Sequence, residues 1–167
     1  MQKSTLNYPT EVIGKHPSKE INPSHYSLVF CAGVFDLIHY GHIRYLRVAK
    51  QLGDILVVGL LTDEGVARYK THKPILNYQQ RWEVLQSIRY VDYIVKQEDT
   101  DPTDTLDDLK EHHNWIFDIM VRGNDYKEKP PGTEFIQSHG GRIVRVPYCD
   151  EISSTKIKEK ITEGYNG

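Results

Sequence analysis

Two short stretches of this chain are apolar at nearly every position, and nothing else in the sequence constrains the fold as much. Residues 27–33 read SLVFCAG and residues 55–61 read ILVVGLL. A strand with one wet face alternates apolar and polar residues. A continuous apolar run is buried on both faces, which requires a layer above and below it, as in a parallel sheet. Between the two runs, Ile43, Leu46, Ala49 and Leu52 recur at spacings of three. That spacing predicts an amphipathic helix closed by Gly53 at a C′ position.

The alternation continues to the end of the chain. Residues 63–69 read as a short helix. Asn77 is placed to cap a helix YQQRWEVLQSIRY with Trp82, Leu85 and Ile88 on one face. A strand starts over 92–95, a helix runs over 103–113 with Leu106 and Leu109 inward, and a strand follows over 116–121. A short helix over 134–138 closes at Gly140 and Gly141. A fifth strand covers 142–146 and a last helix 154–161. Five strands alternating with helices, without a repeat, predict an α/β fold. The expected architecture is a Rossmann-like, open, mostly parallel five-stranded sheet with helices on both faces. Residues 1–25 are polar, carry Pro9, Pro17 and Pro23 and show no period, so they read as an N-terminal arm ahead of a domain over 26–167. At 167 residues the chain suits one domain with a core that needs no disulfide or metal.

Charge and cysteine content narrow the function classes. Lys and Arg number 21 against 23 Asp and Glu, a formal charge of −2, which argues against nucleic acid bound by bulk positive charge. No apolar run reaches membrane-spanning length, and the first residues lack the apolar core of a signal peptide. Cys31 and Cys149 stand in no paired motif, which suits a reducing cytoplasm.

Ligands of open α/β sheets sit at the carboxyl ends of the strands. The first strand end reads AGVFDLIHYGH. His39 and His42 stand there at a helix N-terminus, where free N–H groups and the helix dipole favour an anion. Gly33 admits a ligand close to the backbone, and Gly41 lets the helix start fit beneath it. After the fourth strand comes VRGNDY. Arg122 offers a bidentate contact, Gly123 a close approach, and Asp125 a carboxylate for a ribose hydroxyl or base edge. The same residues also suit a turn. Ser153, Ser154 and Thr155 open the last helix, where they serve as caps, as phosphate ligands, or as both. By themselves Lys70 and Lys73 read as solvated loop lysines, and Arg81 as a surface salt-bridge residue. Phe35 follows the glycine loop and is expected to pack under the site. The acidic run DTDPTDTLDD lacks calcium-loop spacing, and His112–His113 has no third ligand nearby, so no protein metal site is expected.

Four segments in order carry a family resemblance: GVFDLIHYGH, the arginine of NYQQRWEVLQSIRYVD, VRGNDY and ISSTKI. Together they resemble the HxGH nucleotidyltransferase superfamily. Within it the chain resembles glycerol-3-phosphate cytidylyltransferases, and is also similar to the adenylyltransferase domain of ADP-heptose synthase. The resemblance covers about residues 27–162. It implies that His39 and His42 meet the α-phosphate, with Lys70, or Lys73 in reserve, and Arg81 neutralising the phosphates. It also implies that Gly33, Val34, Phe35, Asp36, Gly41, Arg122, Gly123, Asn124, Asp125, Ile152, Ser153, Ser154 and Thr155 surround the nucleotide. Lys73 and Asp36 are the candidates on the side of the second substrate. Asp36 either orients the loop or approaches a Mg²⁺ carried by the triphosphate.

The reaction implied is direct nucleotidyl transfer by a phosphate oxygen attacking the α-phosphorus. It needs positioning and electrostatics rather than a protein nucleophile. The first reading is CTP with a small phosphorylated polyol, giving a CDP-alcohol. The alternative is ATP with a sugar 1-phosphate such as heptose 1-phosphate. A third possibility is a nucleotide-binding protein without activity, against which the intact histidines and hydroxyl segment speak. Two departures separate this chain from the cytidylyltransferases: Tyr148 stands where they carry arginine, and Glu151 where they carry glycine. The segment GNDYK also resembles the heptose enzymes. The relatives further imply a homodimer.

Overall fold

The structure, a computed structural model, describes residues 12–14, 26–124, 128–147 and 149–164, the first of these in backbone only. Twelve elements follow in chain order. They are β1 (Val12–Gly14), β2 (Leu28–Gly33), α1 (Tyr40–Gln51), β3 (Ile55–Leu61), α2 (Asp63–Ala67) and α3 (Tyr78–Gln86), then β4 (Tyr93–Gln97), α4 (Thr103–His113), β5 (Ile119–Gly123), α5 (Thr133–Ser138), β6 (Arg142–Val146) and α6 (Ser154–Gly164). The sheet order is β1-β4-β3-β2-β5-β6. All pairings among β2–β6 are parallel. This is the expected open α/β sheet of five parallel strands. The sixth strand, β1, lies within the stretch read as an arm and pairs antiparallel with β4, Val12 facing Val95 and Gly14 facing Tyr93.

The apolar runs behave as their pattern demands. Along β2, Val29 and Cys31 point into one core layer, while Leu28 and Phe30 point into the other. The first layer packs Leu46 and Ala49 of α1 and Trp82 and Leu85 of α3 over β2, β3 and β5. The second packs Leu106, Leu109, Trp115, Phe117 and Ile136 against the opposite face. Both tryptophans are buried, as expected of core aromatics.

Several boundaries move for identifiable reasons. The helix α3 stops at Gln86 because Ser87 caps it, its hydroxyl donating to Val84 O at 2.7 Å, while Ile88 still packs inward. The fourth of the parallel strands starts at Ile119 rather than 116. Asn114 ends α4 in the left-handed region at φ 55°, and Asp118 turns its carboxylate back to accept from Leu28 N at 2.8 Å. Gly53 does stand at C′, directly after the C-cap Leu52, but its φ is not positive, so it is not a left-handed cap. Glycine is needed at 53 for space, since a Cβ there would lie 2.6 Å from both Ser27 Oγ and Val29 Cγ2. Gly140, by contrast, does adopt φ 85° after α5.

The topology places the site. From the central β2 the chain builds outward through β3 and β4, then returns to β5 on the other side of β2. The connections leaving β2 and β5 diverge, and the crevice between them is where open sheets bind ligands.

Candidate active site

The crevice at the carboxyl ends of β2, β5 and β6 is a cleft with two lobes. The narrow lobe, of about 220 Å³, is walled by Ala32, Tyr45, Arg122, Gly123, Val146, Pro147 and Ile152. The wide lobe, of about 350 Å³, lies between the loop after α2 and the start of α6. Gly33, Val34, Phe35, His39 and His42 line both lobes, so the histidine pair stands where they meet.

The two histidines are set by the helix they begin. His39 is the N-cap of α1, and its Nδ1 accepts from Gly41 N at 3.1 Å. His42 sits at N3, and its Nδ1 accepts from His39 N at 3.4 Å. The result is a capping box built from imidazoles. A ring nitrogen that accepts a hydrogen bond carries no proton, so each ring is the neutral tautomer with its proton on Nε2. The rings stack at 4.0 Å between centroids with a 35° tilt. Burial lowers the pKa of His39. Burial pushes His42 down to about 4, helped by His39 and Lys70 and opposed by Asp36. Geometry and electrostatics agree on two neutral Nε2–H donors.

Gly41 is small because His39 folds over it. A Cβ at 41 would lie 2.9 Å from His39 Cε1 and 3.2 Å from Cys149 Cβ. Gly33 is tight in the same way, with Phe35 Cε2 3.0 Å from its ideal Cβ. Phe35 packs under the site as expected, buried, with its ring 5.5 Å from that of His42. Phe35 and Leu37 both take positive φ, 51° and 48°, so the turn carries two non-glycine residues in the left-handed region.

Arg122 is buried in the wall of the narrow lobe and donates from Nη2 to Pro131 O at 3.0 Å. Asn124 lines neither lobe; its N donates to Val146 O at 3.1 Å and holds the turn to β6. Asp125 lies outside the described residues, as does Tyr148. The three hydroxyls of α6 divide their work. Ser153 Oγ accepts from Lys156 N at 3.1 Å as a cap, and Ser154 Oγ donates to Asp36 O at 2.6 Å. Thr155 is exposed on the wide lobe. Ile152 lines the narrow lobe.

Lys70 and Lys73 both line the wide lobe. Arg81 does not, contrary to the phosphate-facing place that the resemblance implies. It is fully buried, and its guanidinium donates to Val34 O at 2.6 Å, Leu76 O at 3.1 Å and Asp63 Oδ1 at 2.7 Å. Asp36 is on the lobe wall, but its carboxylate accepts from Ile75 N at 2.9 Å, Leu76 N at 3.0 Å and Lys158 Nζ at 3.2 Å. Burial raises its pKa, but those three donors outweigh it and hold the carboxyl below its ordinary value. Among the described residues no group of three or more His, Cys, Asp or Glu is placed to hold a metal, and no helix is long and apolar enough to cross a membrane.

Ten lining residues were not singled out from the sequence, and four of them bear most on the chemistry. Arg44 and Cys149 face the narrow lobe, His72 and Lys158 the wide one. Arg44 lies three residues beyond Gly41 on the same side of α1, and Lys158 lies one helical turn beyond Ser154. Both signals were present in the spacing. Cys149 carried none, because only the fold brings it against Gly41. Cys31 is a different case: burial pushes its thiol up to about 12, so it is a core residue.

The family model described as cytidylyltransferase-like matches residues 30–160. The chain is 39% identical over 141 residues to the bifunctional protein HldE of Pelobacter propionicus, a match covering 83% of this chain and 28% of that protein. It is 36% identical to the bifunctional protein HldE of Syntrophotalea carbinolica over the same shares. The chain thus spans little more than a quarter of the length of these relatives. A crystal structure of a lipopolysaccharide core biosynthesis protein from Thermoplasma volcanium superposes with TM-score 0.61 at 31% identity, covering 75% of this chain and 99% of that one. A protein from Archaeoglobus fulgidus shares the fold, with TM-score 0.54 at 20% identity.

Proposed function

The chain belongs to the cytidylyltransferase-like family of nucleotidyltransferases, and from that premise we propose that it is an adenylyltransferase joining ATP to a sugar 1-phosphate. The observation that carries the choice of substrates is the similarity, at 36–39% identity, to proteins named HldE, in which the resembling domain belongs to ADP-heptose synthase. This reverses the order of the two readings made from motifs alone, which put CTP and a phosphorylated polyol first. The absence of arginine at Tyr148 and the GNDYK segment agree with the reversal.

The chemistry needs little from the protein beyond placement. A non-bridging oxygen of the sugar phosphate attacks the α-phosphorus of ATP. The new P–O bond forms as the bond to the β-phosphate oxygen breaks, and pyrophosphate leaves with the electron pair. His39 and His42 donate hydrogen bonds from Nε2–H to the non-bridging oxygens of the α-phosphate, where negative charge grows in the transition state. Neutral donors there need no proton transfer, since the phosphate dianion is already a nucleophile with a second pKa of about 6. The nucleoside occupies the narrow lobe beside Arg122 and Gly123. The phosphates occupy the wide lobe beside Lys70, Lys73 and the hydroxyls of Ser153 and Thr155. Magnesium enters with the triphosphate as part of the substrate, the usual arrangement for this ion.

Pyrophosphate release tests the reading. ATP and CTP are each offered with heptose 1-phosphate, other sugar 1-phosphates, phosphoethanolamine and glycerol 3-phosphate. The expected result is release with ATP and a sugar 1-phosphate. Faster turnover of CTP with glycerol 3-phosphate restores the first reading. Binding of nucleotide without release from any pair identifies a non-catalytic member of the family.

A further inference from the structure

Two buried charges of opposite sign grip the same two segments. Arg81 donates to Val34 O and Leu76 O, while Asp36 accepts from Ile75 N and Leu76 N. The β2–α1 turn is thus tied to residues 75–76 from both sides, by donors and by an acceptor. Asp63 Oδ1 takes the third edge of Arg81 at 2.7 Å, and its Oδ2 accepts from Tyr78 N at 3.0 Å, which joins the starts of α2 and α3 to the same knot. Asp36 also docks α6. Ser154 donates to its carbonyl and Lys158 to its carboxylate, one helical turn apart. No residue of α6 is buried, so no core contact places that helix.

We propose that Arg81 and Asp36 are positioning residues, a brace that holds the loop carrying Lys70 and Lys73, and the start of α6, at their working distance from the histidine pair. Residues 67–73 are exposed throughout and cannot be placed by their own packing. One end of the loop is fixed by α2, where Lys70 N donates to Val66 O at 2.9 Å. The brace fixes the other. Arg81 is fully buried and so out of reach of a phosphate, and the Asp36 carboxylate is engaged by three protein donors. The catalytic use of the brace rests on the nucleotidyl-transfer reading; the brace itself does not.

Asp36→Asn keeps the shape and removes one acceptor and the charge. Trypsin, which cuts after Arg68 and Lys70, is expected to cleave that loop at least about tenfold faster in this variant, with cleavage elsewhere unchanged. Arg81→Lys keeps the charge but not the fork, and gives the same result. Lys158→Gln, at a half-exposed position that leaves the fold intact, speeds amide exchange in α6 alone. In the kinetic arm, Asp36→Asn lowers kcat about 100-fold, the size expected of a small misplacement. The affinity for adenosine, which needs only the narrow lobe, stays within twofold. Lys70→Ala then costs much less in the Asp36→Asn background than in the parent. Unchanged tryptic rates in both variants overturn the brace, as do Lys70→Ala and Asp36→Asn effects that simply multiply. A parent chain inactive with every substrate pair overturns the functional reading, and the tryptic and exchange arms still decide the brace.

Discussion

At the scale of residues, the decisive feature is that two imidazoles serve as helix caps. Because each Nδ1 accepts from a backbone N–H, each proton is forced onto Nε2. The consequence for pH follows from the lowered pKa of His42, about 4 against an ordinary 6.5. Above pH 6.5 the ring is neutral both folded and unfolded, and it contributes no pH dependence. Below 6.5 the unfolded chain binds the proton and the folded one does not, so stability falls as pH drops and levels off near 4. We expect the melting temperature to decline between pH 6.5 and 4, with a loss on the order of 3 kcal/mol, and His42→Ala to remove part of that slope. Nitrogen-15 spectra of the same sample should show the Nε2–H tautomer at pH 5.5; a protonated His42 there contradicts the assignment. Gly41 makes the same point by size. Its φ is not positive, so alanine is tolerated by the backbone, but its Cβ would push on His39 at 2.9 Å. Gly41→Ala should lower kcat at least about tenfold while thermal melting moves by only a few degrees. Equal turnover in the variant would show that the His39 ring is free to shift.

Elements show where pattern was sufficient. The runs in β2 and β3 were legible because burial on both faces leaves no polar position to confuse the period. The α3 cap was legible because Asn77 and Gln80 form a capping box within four residues, with Asn77 Oδ1 accepting from Gln80 N at 2.9 Å. Gly59 in mid-strand was the exception to an otherwise apolar run, and its reason lies on the next strand. Its ideal Cβ would stand 2.3 Å from Gln97 Oε1 and 2.9 Å from Phe30 Cζ. Gln97 is fully buried, with its amide nitrogen committed to Asp99 O at 2.7 Å, so it cannot swing clear. Gly59→Ala is therefore expected to destabilise the fold by about 1–3 kcal/mol, the usual cost of overpacking a core. Chemical denaturation measures this, and a neutral result would mean that Gln97 repacks. The strand β1 was not legible. Three residues carry too little pattern to register, and its pairing depends on the free edge of β4.

For the molecule as a whole, a formal charge of −2 is compatible with a cationic cleft because the charges are segregated. Lys70, Lys73 and Lys158 gather on the wide lobe, whereas Asp104, Asp107, Asp108 and Glu111 lie on α4, which packs on the opposite face of the sheet from α1. The family resemblance also implies a homodimer, and we expect sedimentation to report twice the 19.4 kDa chain mass; a monomer at micromolar concentration removes that expectation. The sequence by itself determined the five parallel strands, their helices and the position of the histidine pair. Each of those depends on neighbours in the chain: a period, a cap, a strand followed by a glycine turn. Only the tertiary structure decided that Arg81 and Asp36 brace the site, that Arg44 and Cys149 face the narrow lobe, and that Lys158 reaches the wide one. A buried arginine and a surface arginine look alike in a helix of mixed polarity. Their roles are set by which carbonyls and carboxylates lie within 3 Å, and at Arg81 one of those partners, Val34, is 47 residues away in the chain.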